Sequence, residues 1–242
     1  DSEINQNYIT SSSSYTASVY GAGIYMREGT LYMENSTVSS NKLDSEDSQN
    51  FGGIYSSNIT VEIINSTISN NSDGGIYSGS NSKYTNATIS GNANKGIHTG
   101  SNSVITNSVL SNNTNFGLYV EGSSSSIENT TITYNGTGIY ASDATLSFMN
   151  TISYFNTTSQ IDGSSGSTIT IDYSDIQNGV TYGSWATGTG NIDADPSFIS
   201  TSDYHLNTGS PCIDTGNPDD QYKDKDGTRN DMGAYGGLKG DW

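Results

Sequence analysis

The tripeptide Gly53-Ile54-Tyr55 returns along the chain at nearly constant spacing. Its later copies, at intervals of 22, 21, 21 and 21 residues, are Gly75-Ile76-Tyr77, Gly96-Ile97-His98, Gly117-Leu118-Tyr119 and Gly138-Ile139-Tyr140. An earlier copy, Gly23-Ile24-Tyr25, lies 30 residues before the first of these. A fixed period of this length is typical of a solenoid, in which each repeat forms one coil and contacts only its neighbours.

A second landmark divides each repeat further. It is an Asn followed by small and β-branched residues, and it occurs as Asn35-Ser-Thr-Val38, Asn65-Ser-Thr-Ile68, Asn86-Ala-Thr-Ile89, Asn107-Ser-Val-Leu110 and Asn129-Thr-Thr-Ile132. A sixth copy, Asn150-Thr-Ile152, is one residue shorter. Short β-branched segments separated by Gly, Asn and Ser are typical of strands joined by turns, so an all-β solenoid is favoured.

Alignment of the repeats gives three apolar columns. The first is Ile24, Ile54, Ile76, Ile97, Leu118 and Ile139. The second is Met33, Ile63, Tyr84, Ile105, Ile127 and Phe148, and the third is Val38, Ile68, Ile89, Leu110, Ile132 and Ile152. Three columns per repeat predict three short strands per coil, each stacked about 4.8 Å from its equivalent. We therefore predict a parallel β-helix of about seven coils, right-handed because crossovers between parallel strands take that hand.

Composition and charge narrow the classes of function. The chain of 242 residues has 8 Lys plus Arg against 25 Asp plus Glu, which gives a formal net charge of −17. Such a charge repels phosphates and anionic lipids, so we expect no nucleic-acid partner, and no apolar run is long enough for direct membrane insertion. The single Cys212 excludes an intramolecular disulfide and is expected to be a small buried hydrophobe.

Asn recurs again beyond the landmark, at Asn41, Asn71, Asn92, Asn113 and Asn135. Stacked Asn side chains hydrogen-bond along a column and tolerate left-handed turn conformations, so we expect structural ladders with no ligand. The repeated Gly of the tripeptide is expected only to let the chain turn into each strand.

The domain organisation follows from the repeats. Residues 1–174 are expected to form the coils, with an insertion at 42–50, and residues 175–242 to form the last coil and a C-terminal capping module, effectively one domain. We see no clear N-terminal cap, so we expect an open coil end that continues into further sequence or docks on another subunit.

The C-terminal segment carries five phrases in order: Asp195-Pro-Ser-Phe198, Asp203-Tyr-His-Leu206, Gly209-Ser-Pro-Cys-Ile-Asp-Thr-Gly216, Asp224-Lys-Asp-Gly227 and Asp231-Met-Gly-Ala-Tyr235. They resemble the closing module of secreted right-handed parallel β-helix repeat proteins, in the pectate-lyase-like superfamily. The resemblance implies the fold and a secreted or cell-surface location. The sequence departs from that module at Gly236, where an acidic residue is usual.

The resemblance also implies candidate chemistries. Lyases of this fold pair an Arg or Lys base with carboxylates that hold calcium, and hydrolases need acidic residues converging on one face. No column of Asp or Glu runs beside Arg27, and the acids of the regular coils lie at different phases. A polysaccharide lyase or glycoside hydrolase is therefore an alternative only, and no catalytic residue is assigned.

One stretch resembles a shortened calcium loop. Asp224 and Asp226 alternate before Gly227 and are followed by Asp231, and Asp214 could complete the shell. Structural Ca²⁺ is therefore the cofactor that the sequence predicts. The alternative is a network pairing Asp224 or Asp226 with nearby Lys and Arg side chains.

Two stripes are expected on outer faces. The first stripe consists of Tyr25, Tyr55, Tyr77, His98, Tyr119 and Tyr140. It is a candidate surface for binding sugar rings or a partner subunit, and the alternative is that the rings only stack on one another and cover their own strands. The second resembles the arrays of ice-binding solenoids and is Thr37/Ser39, Thr67/Ser69, Thr88/Ser90, Val109/Ser111 and Thr131/Thr133.

These observations favour a non-catalytic, extracellular or cell-surface β-helix that acts as a structural, adhesive or self-assembling envelope element. Its expected partners are other copies of itself or envelope components. Polysaccharide binding or degradation is the competing interpretation, and ice binding through the Thr/Ser face is a remote one.

Overall fold

Short parallel strands account for almost all the regular structure in the computed structural model, which describes residues 2–10, 22–44, 51–56, 59–179, 184–240 and 242. Within those ranges the only helical element is a 3₁₀ turn at Asp220–Tyr222. Most of the predicted insertion at 42–50 lies outside the described residues.

The strands form three parallel sheets that take one strand from each successive coil. The first sheet contains Ile24–Met26, Ile54–Ser56, Gly74–Tyr77, Lys95–Thr99, Phe116–Glu121, Thr137–Ser142 and Ser159–Gly163. The second contains Thr30–Glu34, Thr60–Ile64, Lys83–Thr85, Val104–Thr106, Ser125–Glu128, Thr145–Met149, Thr168–Asp172 and Ser184–Thr187. The third contains Glu3–Asn5, Thr37–Ser39, Thr67–Ser69, Thr88–Ser90, Val109–Ser111, Thr131–Thr133, Ile152–Tyr154 and Asp175–Ile176.

This arrangement confirms the predicted all-β parallel solenoid with three strands per coil. Sheets of seven, eight and eight strands also agree with the predicted number of coils. The start of the insertion forms a separate two-stranded parallel sheet, in which Lys42–Asp44 pairs with Tyr8–Thr10.

The first two apolar columns are confirmed by strand register and burial. Ile54, Ile76 and Ile97 are direct partners on neighbouring strands and are fully buried. Ile161 extends the first column by one coil, and Ile171 does the same for the second. The core is therefore a stack of matched side chains, in which each coil buries the apolar surface of the next.

The third column was predicted wrongly at its sixth position. Ile152 pairs with Thr131, and Ser153 is the partner of Ile132, so the repeat is not shortened. Side chains alternate between the two faces of a strand, so this register places Ser153 inward and Ile152 outward. Ile152 is nevertheless fully buried, because it packs against Cys212 and Met232 on the outside of the third sheet.

A buried Asn ladder runs up one corner of the helix, as predicted. Each side-chain amide donates to the Oδ1 atom of the next Asn at 2.9–3.1 Å. Each amide also donates to the backbone carbonyl of a third-sheet strand, for example Asn113 Nδ2 to the Ile89 oxygen at 3.1 Å. Asn156 adds a further rung, and Gln160 ends the ladder by accepting from its amide at 2.6 Å.

The repeated Gly serves this ladder, which corrects the prediction that it only allows a turn. A Cβ on Gly96 would lie 2.6 Å from the Gly117 oxygen and 2.7 Å from Asn113 Nδ2. Gly96 is absent from the residues with positive φ, so space rather than backbone conformation selects glycine here.

Gly96→Ala is therefore expected to destabilise the protein by about 3 kcal/mol, because neither the neighbouring backbone nor the hydrogen-bonded Asn amide can move away. Chemical denaturation measures the loss. Gly163→Ala is the control, since its Cβ would approach no atom closer than 3.3 Å, and a much smaller loss is expected. Equal losses in the two variants would show that the Asn ladder does not restrict this position.

The C-terminal segment packs along the side of the helix. The Ala234 N–H donates to Thr131 Oγ1 at 3.0 Å, and Asn112 Nδ2 donates to the Tyr204 hydroxyl at 2.9 Å. These contacts cover the outer face of the third sheet over its later coils. The second stripe is therefore not an exposed face throughout, because Val109, Ser111, Thr131 and Thr133 are buried. The proposed division at residue 175 stays a prediction.

Candidate functional site

The predicted tyrosine row forms a continuous ladder on the first sheet. Strand register makes direct neighbours of Tyr25, Tyr55, Tyr77, His98, Tyr119 and Tyr140. The row follows from alternation along each strand, because the residue before each Tyr or His is an inward Ile or Leu. We call these six side chains the aromatic ladder.

The rings of the ladder cover one another. Tyr55 and Tyr77 are nearly parallel, with centroids 4.8 Å apart and an interplanar angle of 8°. Tyr119 and Tyr140 stack at 5.2 Å and 20°. Tyr25, at one end, is the most exposed ring at 42%. Stacked rings hide their faces from solvent, so the ladder presents ring edges and phenol hydroxyls.

His98 interrupts the stacking at the centre of the ladder. Its ring lies at 76° to Tyr77 and at 63° to Tyr119, and the residue is only 8% exposed. Its Nε2 lies 3.2 Å from Glu121 Oε1, and its Nδ1 lies 3.4 Å from Lys95 Nζ. A neutral ring that donates from Nε2 and accepts at Nδ1 satisfies both contacts.

Burial and the nearby ammonium group set the charge of this centre. Burial, with a further contribution from Lys95, lowers the pKa of His98 to about 3, so the ring is neutral at physiological pH. Burial also lowers the pKa of Lys95, although Glu121 acts in the opposite direction. The Lys95 Nζ lies 4.3 Å from the Tyr119 ring centroid, a cation–π contact. This lysine is held against the ladder.

Two phenylalanines support the ladder, and sequence reasoning did not assign them to it. Phe51 is fully buried and lies 5.5 Å from the Tyr77 ring, and Phe116 lies 5.5 Å from Tyr119 and 5.6 Å from Tyr140. A signal was present for Phe116, because it directly precedes the repeated Gly117. Both rings thus pack directly against rings of the ladder.

The four basic residues of the repeats, one of which would have to act as the base of a lyase, are not brought together. Arg27 is exposed just beyond the first-sheet strand Ile24–Met26. Lys83 is exposed on the second sheet, where Glu62 is its neighbour in the strand register. Lys42 belongs to the two-stranded sheet of the insertion. Among the described residues, Lys95 alone of these four bases joins the ladder, and the single carboxylate beside it is that of Glu121.

The predicted calcium residues share one small cavity of about 170 Å³, together with Lys225. Three of the four carboxylates, those of Asp224, Asp226 and Asp231, already accept hydrogen bonds from the chain. The Asp214 N–H donates to Asp231 Oδ1 at 2.7 Å, the Asp231 N–H donates to Asp224 Oδ2 at 2.9 Å, and Asp224 Oδ1 accepts from the Gly237 N–H. Asp226 Oδ1 accepts from the Thr228 N–H at 2.9 Å.

No cluster of three or more His, Cys, Asp or Glu side chains in the described ranges is placed to hold a metal ion. Burial instead raises the pKa of Asp231 to about 6 and raises that of Asp224. Arg229 donates to the carbonyls of Thr215 and Gly216, so it does not serve the alternative carboxylate network. Structural calcium stays a prediction.

Comparison with known protein families agrees with the fold. The family model described as "Right handed beta helix region" matches residues 1–147 and 52–199. The chain belongs to this right-handed β-helix family. The handedness expected from the crossover rule agrees with this membership. A search of curated proteins found no match to this β-helix.

Among solved structures, the β-helix is similar to the "Crystal structure of pectate lyase Pel9A". The match has a TM-score of 0.45 and 12% identity, and it covers 96% of this chain and 86% of that chain. A likeness at this level assigns no activity to the β-helix. No helix in the described part of the β-helix is long and apolar enough to span a membrane.

Proposed function

We propose that this protein is a non-catalytic, extracellular β-helix that associates with other copies of itself through the aromatic ladder. The observation that carries the proposal is the ladder itself, a continuous row of six aromatic rings along the first sheet. Flat surfaces built from aromatic side chains are enriched in protein interfaces, because they bury a large area at low cost in conformational entropy.

Charge supports the choice of this face. The chain has a net charge of −17, so two copies repel each other over most of their surfaces. Along the ladder, the charge of Lys95 is balanced by that of Glu121, and burial keeps His98 neutral. A second copy can therefore approach along this strip with less electrostatic repulsion than over the acidic surface.

Polysaccharide binding on the ladder is the competing proposal. Sugar rings usually stack on an exposed aromatic face, but the ladder rings cover one another, as in the pair Tyr55 and Tyr77 with centroids 4.8 Å apart. The ladder thus offers edges and hydroxyls, which suit a flat protein contact better. The extracellular location is proposed from the resemblance of the C-terminal motifs to those of secreted β-helix proteins.

The test is self-association of the intact chain, measured by sedimentation equilibrium. The double variant Tyr25→Ser with Tyr140→Ser alters both ends of the ladder, and we expect it to weaken association by about tenfold or more. Tyr32→Ser is the matched control, because Tyr32 is 56% exposed but lies on the second sheet. A wild-type protein that stays monomeric and binds a soluble polysaccharide through the ladder would overturn the proposal in favour of its competitor.

A further inference from the structure

The C-terminal segment binds the helix through the landmark Asn row. Asn107 Nδ2 donates to the carbonyls of Ala234 and Gly236, at 3.1 and 2.7 Å. In a later coil, Asn150 Oδ1 accepts from the Asn217 N–H at 2.6 Å. Over these coils the outward amides therefore act as a template for polypeptide backbone, because each offers a donor and an acceptor.

The same row continues through earlier coils, where the C-terminal segment leaves a groove over it. Asn35, Asn65 and Asn86 line the floor of this groove, and Lys225, Lys239 and Trp242 line its wall. Its cavity volume is about 620 Å³, the size of a binding site for a short segment of chain. We call it the Asn groove.

One atom in the Asn groove lacks the partner that its burial requires. Asn86 Nδ2 donates to Asn65 Oδ1 at 3.1 Å, but Asn86 Oδ1 is shielded from solvent and accepts no hydrogen bond from the described residues. An acceptor left buried without a donor costs about 1–3 kcal/mol. If the Asn86 amide rotates toward the groove, a ligand N–H group can bond this oxygen and remove that cost, as the Asn217 N–H does at Asn150.

The charged side chains among the described residues that line the Asn groove are all basic. Two of the chain's 8 basic residues lie in its wall. No Asp or Glu occurs among the described residues that line it, although the chain contains 25. A groove of this charge selects an acidic ligand by electrostatic complementarity.

We propose that the Asn groove binds an acidic polypeptide segment. The exposed amides of the row hydrogen-bond the backbone of that segment, as they bond the C-terminal segment in later coils. Lys225 and Lys239 attract its carboxylates, and the Trp242 ring packs against it. The bound segment extends the interface that the C-terminal segment already makes with the third sheet.

The experiment is isothermal titration calorimetry of the full chain with a short blocked peptide of alternating Asp and Gly. Saturable binding that weakens with added salt is expected. The variant Asn65→Gly with Asn86→Gly should weaken binding by about tenfold or more, because two backbone hydrogen bonds are lost. Glycine is chosen because Asn65 and Asn86 have positive φ angles of 47° and 50°. Asn70→Gly is the matched control, with a φ of 55° at another corner.

Lys239→Glu tests the charge without altering the Asn row and should also weaken binding about tenfold, whereas Lys83→Glu on the second sheet should not. Three results would overturn the proposal: no binding of the Asp/Gly peptide, equal binding of a Lys/Gly peptide, or binding that is unchanged in both groove variants. An acidic oligosaccharide that binds and is weakened by the groove variants, while the peptide does not bind, would show that the groove is a sugar site.

Discussion

Replacing Asn113 by Ala is expected to lower the free energy of unfolding by at least about 4 kcal/mol. Asn113 Oδ1 accepts from both the backbone N–H and the side-chain amide of Asn92, at 3.1 and 2.9 Å. Its own amide donates to the Ile89 carbonyl and to Asn135 Oδ1, at 3.1 and 3.0 Å. Alanine removes these four buried bonds, although the Asn92 amide keeps its bond to the Ile68 carbonyl and Asn135 Oδ1 keeps the bond from the backbone N–H of residue 113. Each buried group that loses a partner costs about 1–3 kcal/mol.

The control is Asn115→Ala. Asn115 also donates to an Asn of the preceding coil, Asn94, at 2.9 Å, but this pair is exposed and water replaces the lost bond. A loss below about 1 kcal/mol is expected there. Chemical denaturation of the two variants under the same conditions gives the comparison. If Asn113→Ala lost no more stability than Asn115→Ala, the buried ladder would contribute nothing beyond a surface contact.

The second large effect is a stability that falls as the pH rises from about 4 to 7. Asp175 is fully buried, and this burial raises its pKa from 3.8 to about 6, against the opposing effect of hydrogen bonds from the Ala194 N–H and the Cys212 thiol. The folded state therefore prefers the protonated carboxyl. Its contribution is fully present below pH 3.8 and is lost as the pH passes 6, which amounts to about 3 kcal/mol at most.

Asp175→Asn is the test, because the amide has the shape and neutrality of the protonated acid. Its oxygen can still accept from the Ala194 N–H. At pH 8 the variant is expected to be more stable than the wild type by up to about 3 kcal/mol, and at pH 4 the difference should vanish. Asp219→Asn, at an exposed site, removes the same charge and should leave the pH profile unchanged. A pH profile that Asp175→Asn does not alter would contradict this origin.

Most of the core was predictable from sequence because its contacts repeat. A position such as Ile76 meets its equivalent one repeat earlier and one repeat later, so the period of the sequence is also the list of contacts. The Asn ladder was predictable for the same reason. Even Tyr84, the least apolar member of its column, lies inside, where Ser78 Oγ is 2.7 Å from its hydroxyl.

Contacts between distant parts of the chain were not predictable in this way. Asn107 and Gly236 are 129 residues apart and share no period, so nothing marked the third sheet as the binding surface of the C-terminal segment. The buried outer position of Ile152 has the same origin, since Met232 covers it. The space requirement of Gly96 could not be deduced either, because it depends on the exact separation of neighbouring coils.

The candidate site was only half predictable. The positions of its rings follow from the repeat. The contact of His98 with Glu121 was also predictable, because Glu121 lies in the next repeat, two residues after Tyr119, the equivalent of His98. The orientation of each ring could not, because it depends on how Phe51 and Phe116 fill the space beside the ladder. That orientation decides whether ring faces or edges meet a partner.

The docking of the C-terminal segment on the side of the helix has a consequence for the order of folding. Each coil meets the next across about one repeat of chain, so coils can stack one after another as they leave the ribosome. The contact between Asn107 and Ala234 closes a loop of 127 residues and cannot form until Ala234 has been synthesised. Until then the side of the third sheet, including Ile152, stays open to water and to neighbouring nascent chains. The segment thus folds after the coils that it covers.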